Sequence, residues 1–454
     1  MIRNYAVFVL GLLVPVACIA RQEPLEDSGR SRSDTQGKAH QDMKDMREMK
    51  MESESREEPP KTFIEEIMLR GASGTSAEPN STPLPMLMTM TGKWMLMFHA
   101  NIFVLDQQQS GARGGDKFFS TNWFMGTAQH KLGPGTFTGR LMLSLEPATI
   151  SQRRYPPSLS ARRNCLWQAH RGRSASPRFH YGIGRFVRSK NGREQPAFAV
   201  FRSGGGSCDW TNRVCASASE NPLATLGHHQ QDSTHIANEV VTVGLTHGML
   251  RIEGSGFHGR EPDEFRWDID TGKIDSWSTR LTVQPGKNWS GQVSYARITS
   301  VEALFPNEDQ ARLTASVMYN RRLHDGNWAS TVLWGRTRSI PDNSIFNSYL
   351  LESTLRFRTR NSLWTRVENA DRSNELVSGG NPLRPGFRES VIGRVQAYSF
   401  GYDRDFHIVS HLGSALGAQF TTYGVPGALQ PIYGSRPLGF AVFARLRPVS
   451  AATR

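Results

Sequence analysis

The feature that most constrains this chain is the stretch from Ser276 to Arg338, where four short segments alternate large apolar with small or charged side chains. In the first, Trp277, Leu281 and Val283 share one parity, and Ser278, Arg280 and Thr282 take the other. In the second, Trp289, Val293 and Tyr295 stand against Ser290, Gln292 and Ser294. In the third, Leu313, Ala315, Val317 and Tyr319 oppose Arg312, Thr314 and Ser316, while Trp328 to Arg338 is less regular. Neighbouring side chains on a strand point to opposite faces, so a period of two predicts strands with one apolar and one polar surface. The apolar surface must then meet either a protein core or lipid.

The same pattern runs from Gly92 almost to the end. It predicts strands at 93–105, 117–129, 136–145, 237–246, 249–258, 276–284, 288–298, 311–320, 327–338, 346–358, 362–369, 390–402, 414–423 and 438–446. Tight turns such as His247-Gly248, Pro285-Gly286-Lys287, His324-Asp325-Gly326 and Arg360-Asn361 alternate with longer polar connections at 259–275, 299–310, 339–345 and 370–388. Strands of about ten residues joined alternately by short turns and long loops are the signature of an outer-membrane barrel. Trp277, Trp289, Trp328, Trp334 and Trp364 fall near expected strand ends, where aromatic girdles sit. Arg280, Arg312, Arg336, Glu352, Arg356, Arg366, Glu368 and Arg394 fall mid-strand, which suits a wet lumen and would penalise a soluble sandwich. A propeller would show a repeat of about 40 to 50 residues, and none is visible. The expected fold is therefore all-β: an antiparallel transmembrane β-barrel with about fourteen strands of a sixteen-strand plan.

Hydrophobic residues make up 38% of the 454, and no run of about 18 apolar residues exists, so a bundle of membrane helices is excluded. Residues 1–20 read as a signal peptide, with Arg3 before an apolar core and Cys18 and Ala20 flanking a cleavage point. Cys18 offers lipidation as an alternative, although Pro15 stands where that signal usually wants Leu. Residues 21–85 are polar and charged, a leader unable to bury enough surface to order itself. Within it, Met43, Met46, Met49 and Met51 lie in nine residues, a spacing of soft thioethers that suits copper; a short amphipathic helix or plain low complexity explains it as well. Residues 86–448 form the barrel and 449–454 a tail.

Between Pro157 and Cys215 the alternation stops. Eleven Arg or Lys residues face two acids there, +9 of the chain's formal +13, with three of the four cysteines. Read at face value, this is a basic insert. Back-translated and shifted by one register, however, Arg162–Arg171 gives GETAYGKPI, Arg173–Arg188 gives GQHPHDFIMELAALY and Lys190–Val214 gives KMGENSLLSLYFAPVGDPAIGPTAY. The segment 158–215 therefore reads as out of frame, its charge is no argument for a nucleic-acid partner, and two strands are expected to be missing.

Four in-frame segments resemble an uncharacterised bacterial family of outer-membrane β-barrel proteins: GDKFFSTNWFM at 115–125, MLSLEPAT at 142–149, HHQQDSTHIAN at 228–238 and SGFHGREP at 255–262. The resemblance covers about 64–157 and 216–447, and the family often carries Met- and His-rich leaders. The resemblance implies an envelope location and a β fold and supplies no activity. The chain departs from the family across 158–215. It also ends in Val449–Arg454, where a terminal aromatic is expected for the barrel-assembly machinery.

Candidate chemistry is sparse. His228, His229, Asp232 and His235 form the densest ligand set, fit for zinc or copper if they share a helical face; ordinary hydrogen-bonded loop residues are the plainer reading. Ser233 with His235 and Asp232 is too local for a catalytic triad, and no enzyme is expected. The reading favours a porin-like channel or passive transporter for small polar solutes or ions, in contact with outer-membrane lipid. An envelope copper- or zinc-binding protein is the alternative, and a soluble secreted β protein a further one.

Overall fold

A computed structural model of the chain describes residues 77–83, 86–132, 135–143, 145, 149, 179–188, 194–203, 216–223, 226–231, 238–260, 272–301, 307–378, 388–409 and 411–449. They fall in one compact unit beginning at Glu58. The signal, the Met-rich patch and the C-terminal tail beyond 449 lie outside the described residues.

All fourteen strands expected from the alternation are present, with ends shifted by a few residues. In chain order the strands are β1 (Leu87–Thr91), β2 (Trp94–Gln109), β3 (Gly115–Leu132), β4 (Gly135–Leu143), β5 (Phe179–Arg188), β6 (Glu194–Ser203), β7 (Asn238–His247), β8 (Leu250–His258) and β9 (Ser276–Val283). They continue with β10 (Trp289–Ile298), β11 (Gln310–Leu323), β12 (Gly326–Ser339), β13 (Ile345–Phe357), β14 (Asn361–Ser373), β15 (Val391–Val409), β16 (Leu412–Gly424) and β17 (Leu438–Pro448). Each pairs antiparallel with the next, and β17 pairs back onto β2 from Gly439↔Gln109 to Leu446↔Ile102. Strands β2 to β17 thus close a ring of sixteen. Since β3 covers one edge of β2 along its whole length, β1 shares the other edge with β17, pairing from Leu87↔Phe98 to Thr91↔Trp94. Closure leaves no edge facing lipid, which a membrane requires of any sheet.

Two strands differ from expectation. Where 158–215 was read as lacking its strands, β5 and β6 form from the residues actually encoded. They pair with each other along their full length and with β4 and β7. A ladder uses backbone groups, so a segment with poor side-chain alternation can still fill a gap whose open edges would be costly.

Eight connections are short, including Gly92-Lys93 and Gly248-Met249, whose glycines hold φ of +59° and +57° as tight hairpins demand. At the other end lie the long connections. Two of them carry short helices, α2 (Glu375–Ser378) and α3 (Gln430–Tyr433), and α1 (His228–Gln231) sits in the connection before β7.

Candidate lumenal site

The burial of alternate residues fixes which face is which. Along β12, Asn327, Ala329, Thr331, Leu333, Gly335 and Thr337 are buried, whereas Trp328, Val332 and Arg338 are exposed. On β7 to β17 the exposed parity carries the large apolar side chains, among them Val243, Leu245, Ile252, Leu281, Val293, Val317, Val332, Leu351, Phe400, Leu416, Phe420, Phe440 and Val442. The buried parity carries Arg251, Glu253, Arg280, Arg312, Glu352, Arg366, Glu368, Asp403, Asp405, Arg445 and Arg447. This is a soluble protein turned inside out.

Aromatic rings border the apolar band. Toward the short turns, Trp289 and Tyr319 stack with centroids 4.6 Å apart, and Tyr319 meets Trp328 edge-on at 5.5 Å. Toward the long loops, Trp277 packs on Tyr295 at 5.5 Å, and Trp334 stands opposite Tyr349. Trp364 is not part of a girdle. It shares parity with Arg366 and Glu368, points inward with 2% exposure, and donates from Nε1 to Gln419 Oε1 at 3.2 Å. Its indole occupies the space that the missing side chain of Gly401 leaves.

Of the eight residues expected to line the lumen, six stand on the inward parity: Arg280, Arg312, Glu352, Arg356, Arg366 and Glu368. Arg336 and Arg394 do not. Arg336 has the parity of Trp328 and Trp334, and Arg394 that of Tyr398 and Phe400, so both face outward. Mid-strand position alone gives no facing; parity within the strand does.

The interior is crossed by a strap, residues 216–223 and 226–231, belonging to the connection between β6 and β7. At its start Glu78 Oε1 accepts from Ala216 N at 3.1 Å, tying the strap to the segment that precedes β1. That segment is in turn held beside the short turns, where Ser81 N donates to Lys287 O at 2.8 Å and Ser81 Oγ to Asn320 O at 2.7 Å. The strap then runs toward the long loops. Thr354 Oγ1 donates to Ser217 O at 2.7 Å, and Asn101 Nδ2 donates to Ser219 O at 3.1 Å. Arg366 Nη1 donates to Leu223 O at 2.8 Å, and Leu226 N donates to Glu368 Oε1 at 2.5 Å. Arg372 Nη1 donates to Leu226 O at 2.8 Å, and Gln231 Nε2 donates to Ser348 Oγ at 2.9 Å. Two apolar contacts reinforce these bonds. Leu223 packs against Phe103, Phe119, Trp364 and Phe443, while Leu226 joins Leu376, Val395, Tyr423, Leu429 and Tyr433 under the long loops.

Glu220 is the strap's charged anchor. It pairs with Arg447 at 2.8 Å and with Arg445, and Arg445 also reaches Asp405 at 2.7 Å and Asp403 at 3.2 Å. Arg356 pairs with Asp405 as well. Three acids and three arginines thus neutralise one another with little water, and Arg366 with Glu352 at 2.9 Å repeats the arrangement one strand pair away. Buried charges demand such matching.

The sequence reading missed Glu220, Asp403, Asp405, Arg445 and Arg447. The last four were findable, since each pair is two residues apart on a strand whose alternate parity is apolar. The strap had no such signal, because an irregular segment has no period. Of the metal set, His228 and His229 stand in α1, but their side chains, Asp232, His235, and Met43, Met46, Met49 and Met51 lie outside the described residues. Among the described residues no group of three or more His, Cys, Asp or Glu could hold a metal.

No protein-family model matches the chain, and no curated protein sequence matches it. Solved structures resemble it only at low identity and with TM-scores below 0.5. A loop-deletion mutant of OmpT, an outer membrane protein of Vibrio cholerae, matches 78% of this chain and 99% of its own at 8% identity, TM-score 0.46. An anion-selective porin from Comamonas acidovorans matches 78% and 99% at 10% identity, TM-score 0.42. OprB of Pseudomonas putida matches 78% and 94% at 9% identity, TM-score 0.46. No residue role is carried from them to this chain.

Proposed function

We propose that this chain is a bacterial outer-membrane β-barrel, exported through its N-terminal signal, that acts as a porin-like channel or passive transporter for small polar solutes or ions. One observation carries this reading: the closed ring exposes Val, Leu, Ile and Phe around its outside and buries Arg, Glu and Asp inside. Water would penalise so large an apolar exterior, and lipid rewards it. The same observation disfavours a soluble secreted β protein. The strap narrows the lumen and sets what passes. No catalytic residue is assigned.

The test is conductance of the refolded barrel in planar bilayers, beside heat-modifiable gel migration. Ohmic steps that enlarge when 216–231 is replaced by a short Gly-Ser link support the channel. A heat-modifiable barrel silent in both forms overturns it.

The copper- or zinc-binding alternative rests on sequence alone, on Met43, Met46, Met49 and Met51 and on His228, His229, Asp232 and His235. Titration of the full chain with either metal tests it, and equal binding by a His228→Ala/His235→Ala variant removes the histidine set. Residues 158–215 are read as out of frame. The shifted strings FIMELAALY and SLLSLYFAP fall on the positions of β5 and β6, which supports that reading. Resequencing the gene there tests it, and an intact frame refutes it.

A further inference from the structure

The outward-facing Arg336 and Arg394 belong to a larger group on the outer surface of β10 to β15. Residues opposite one another on neighbouring strands share a face, so register locates them. Arg336 stands opposite Asn347 on β13, and Asn347 N donates to Asp371 Oδ2 on β14 at 2.8 Å. Asp371 stands opposite Arg394 on β15 and pairs with it at 2.8 Å. A second row lies nearer the loops, where Arg297 on β10 faces Ala311 and Ala311 faces Arg338 on β12. Both rows lie on the long-loop side of Trp334 and Tyr349, and Arg394 sits over the Tyr349 ring with Cζ 5.7 Å from its centroid.

The group holds four arginines and two acids. Arg297 is matched by Asp309 at 2.8 Å and Arg394 by Asp371, so the surplus rests on Arg336 and Arg338. Arg338 bonds the neutral Asn343, from Nε to Oδ1 at 3.1 Å, and Arg336 makes no ion pair among the described residues. Two strands beyond β15, the long-loop end of β17 presents Leu438 and Phe440, both exposed. Guanidinium groups just beyond an aromatic girdle stand at headgroup depth, where phosphate oxygens match their forked donors.

We infer that the outer surface of β10–β15 is a docking site for anionic lipid, with Arg336 and Arg338 holding headgroup phosphate in the leaflet on the long-loop side. This rests on the barrel reading above and names one of its partners. The test uses the full chain refolded into phosphatidylcholine vesicles with and without phosphatidylglycerol, and measures the selectivity of the protein surface for spin-labelled phosphatidylglycerol over phosphatidylcholine. The native chain should prefer the anionic lipid, and Arg336→Gln/Arg338→Gln should lower that preference by about fivefold per arginine removed. Arg336→Lys/Arg338→Lys, which keeps the charge, should retain most of it, and raised salt should weaken it in the native chain. A native chain without preference, a preference unmoved by salt, or a Gln variant that keeps it overturns the site while a heat-modifiable barrel persists. Absence of heat-modifiable migration in every vesicle overturns the barrel reading itself, and the site with it.

Discussion

The two halves of this ring are held together in different ways. From β10 round to β3, ladders are long: β11 pairs with β12 over fourteen residue pairs and β2 with β3 over sixteen. Around β5 and β6 two ladders are short, four pairs between β4 and β5 and six between β6 and β7, although β5 and β6 pair with each other over ten. The strap obeys the same division. Its hydrogen bonds and its ion pair to the wall fall on β2, β12, β13, β14 and β17, and the buried ion pairs around it lie on β13, β14, β15 and β17. One half is therefore fixed by side chains as well as backbone. β5 and β6 continue the ring through their backbone ladders, which ask little of residue identity. That is why a segment with no legible alternation can still occupy strand positions.

The largest effect that can break this contrast is loss of a buried charge in the well-held half. Arg445→Leu leaves Glu220, Asp403 and Asp405 short of a partner in the interior. Stripping one member from a buried ion network costs about 3–5 kcal/mol. The heat-modification temperature of the refolded barrel should fall steeply, and it should fall less when Glu220→Gln is added, because one orphaned acid is then removed. Equal loss in the single and double variants would show that Glu220 is not part of the network.

Next is the stability of the two halves in the unaltered chain. Short ladders open at lower free energy than long ones with packed interiors. Amide hydrogen exchange of the reconstituted barrel should therefore report β4–β7 exchanging well before β11–β16. Uniform protection around the ring would abolish the contrast.

What the sequence revealed follows the same line. Period-two alternation located fourteen strands, because each has a lipid-facing and an inward-facing parity and a one-residue slip would exchange them. Arg280, Arg312, Glu352, Arg356, Arg366 and Glu368 fall on the inward parity, in alternation with outward-facing neighbours. The sequence reading misplaced Arg336, Arg394 and Trp364, which were judged by position along the strand and not by parity. Arg336 and Arg394 sit outside because the polar headgroup level begins beyond Trp334 and Tyr349. Trp364 sits inside because Gly401 opens room for it. The strap was illegible for a different reason: Leu223, Leu226 and Gln231 are held by contacts more than a hundred residues away in sequence, and no local pattern encodes those.

A smaller perturbation sharpens the role of the strap. A side chain at Gly335 would run into the backbone of Gln230, whereas one at Gly126 on β3 meets nothing within 4 Å. Gly335→Ala should cost about 1–3 kcal/mol, as overpacking does, and should raise single-channel conductance by loosening the strap. Gly126→Ala should leave both unchanged. If Gly335→Ala destabilises without altering conductance, the strap does not limit flow.

The smallest expected effect lies in the loops above the well-held half. Glu308 precedes β11, and its carboxyl is pushed above the ordinary range, first by burial and then by the nearby carboxylates of Glu389 and Asp342. A carboxyl whose folded value is raised favours the folded state while protonated. That contribution is complete below the ordinary glutamate range and is lost as pH rises through the raised value. Ionising Glu308 as pH rises is therefore a local liability. Glu308→Gln should melt slightly higher than the native chain at pH 7, with the gain shrinking to nothing near pH 4. A gain of equal size at both values would mean that packing, and not charge, separates the two side chains.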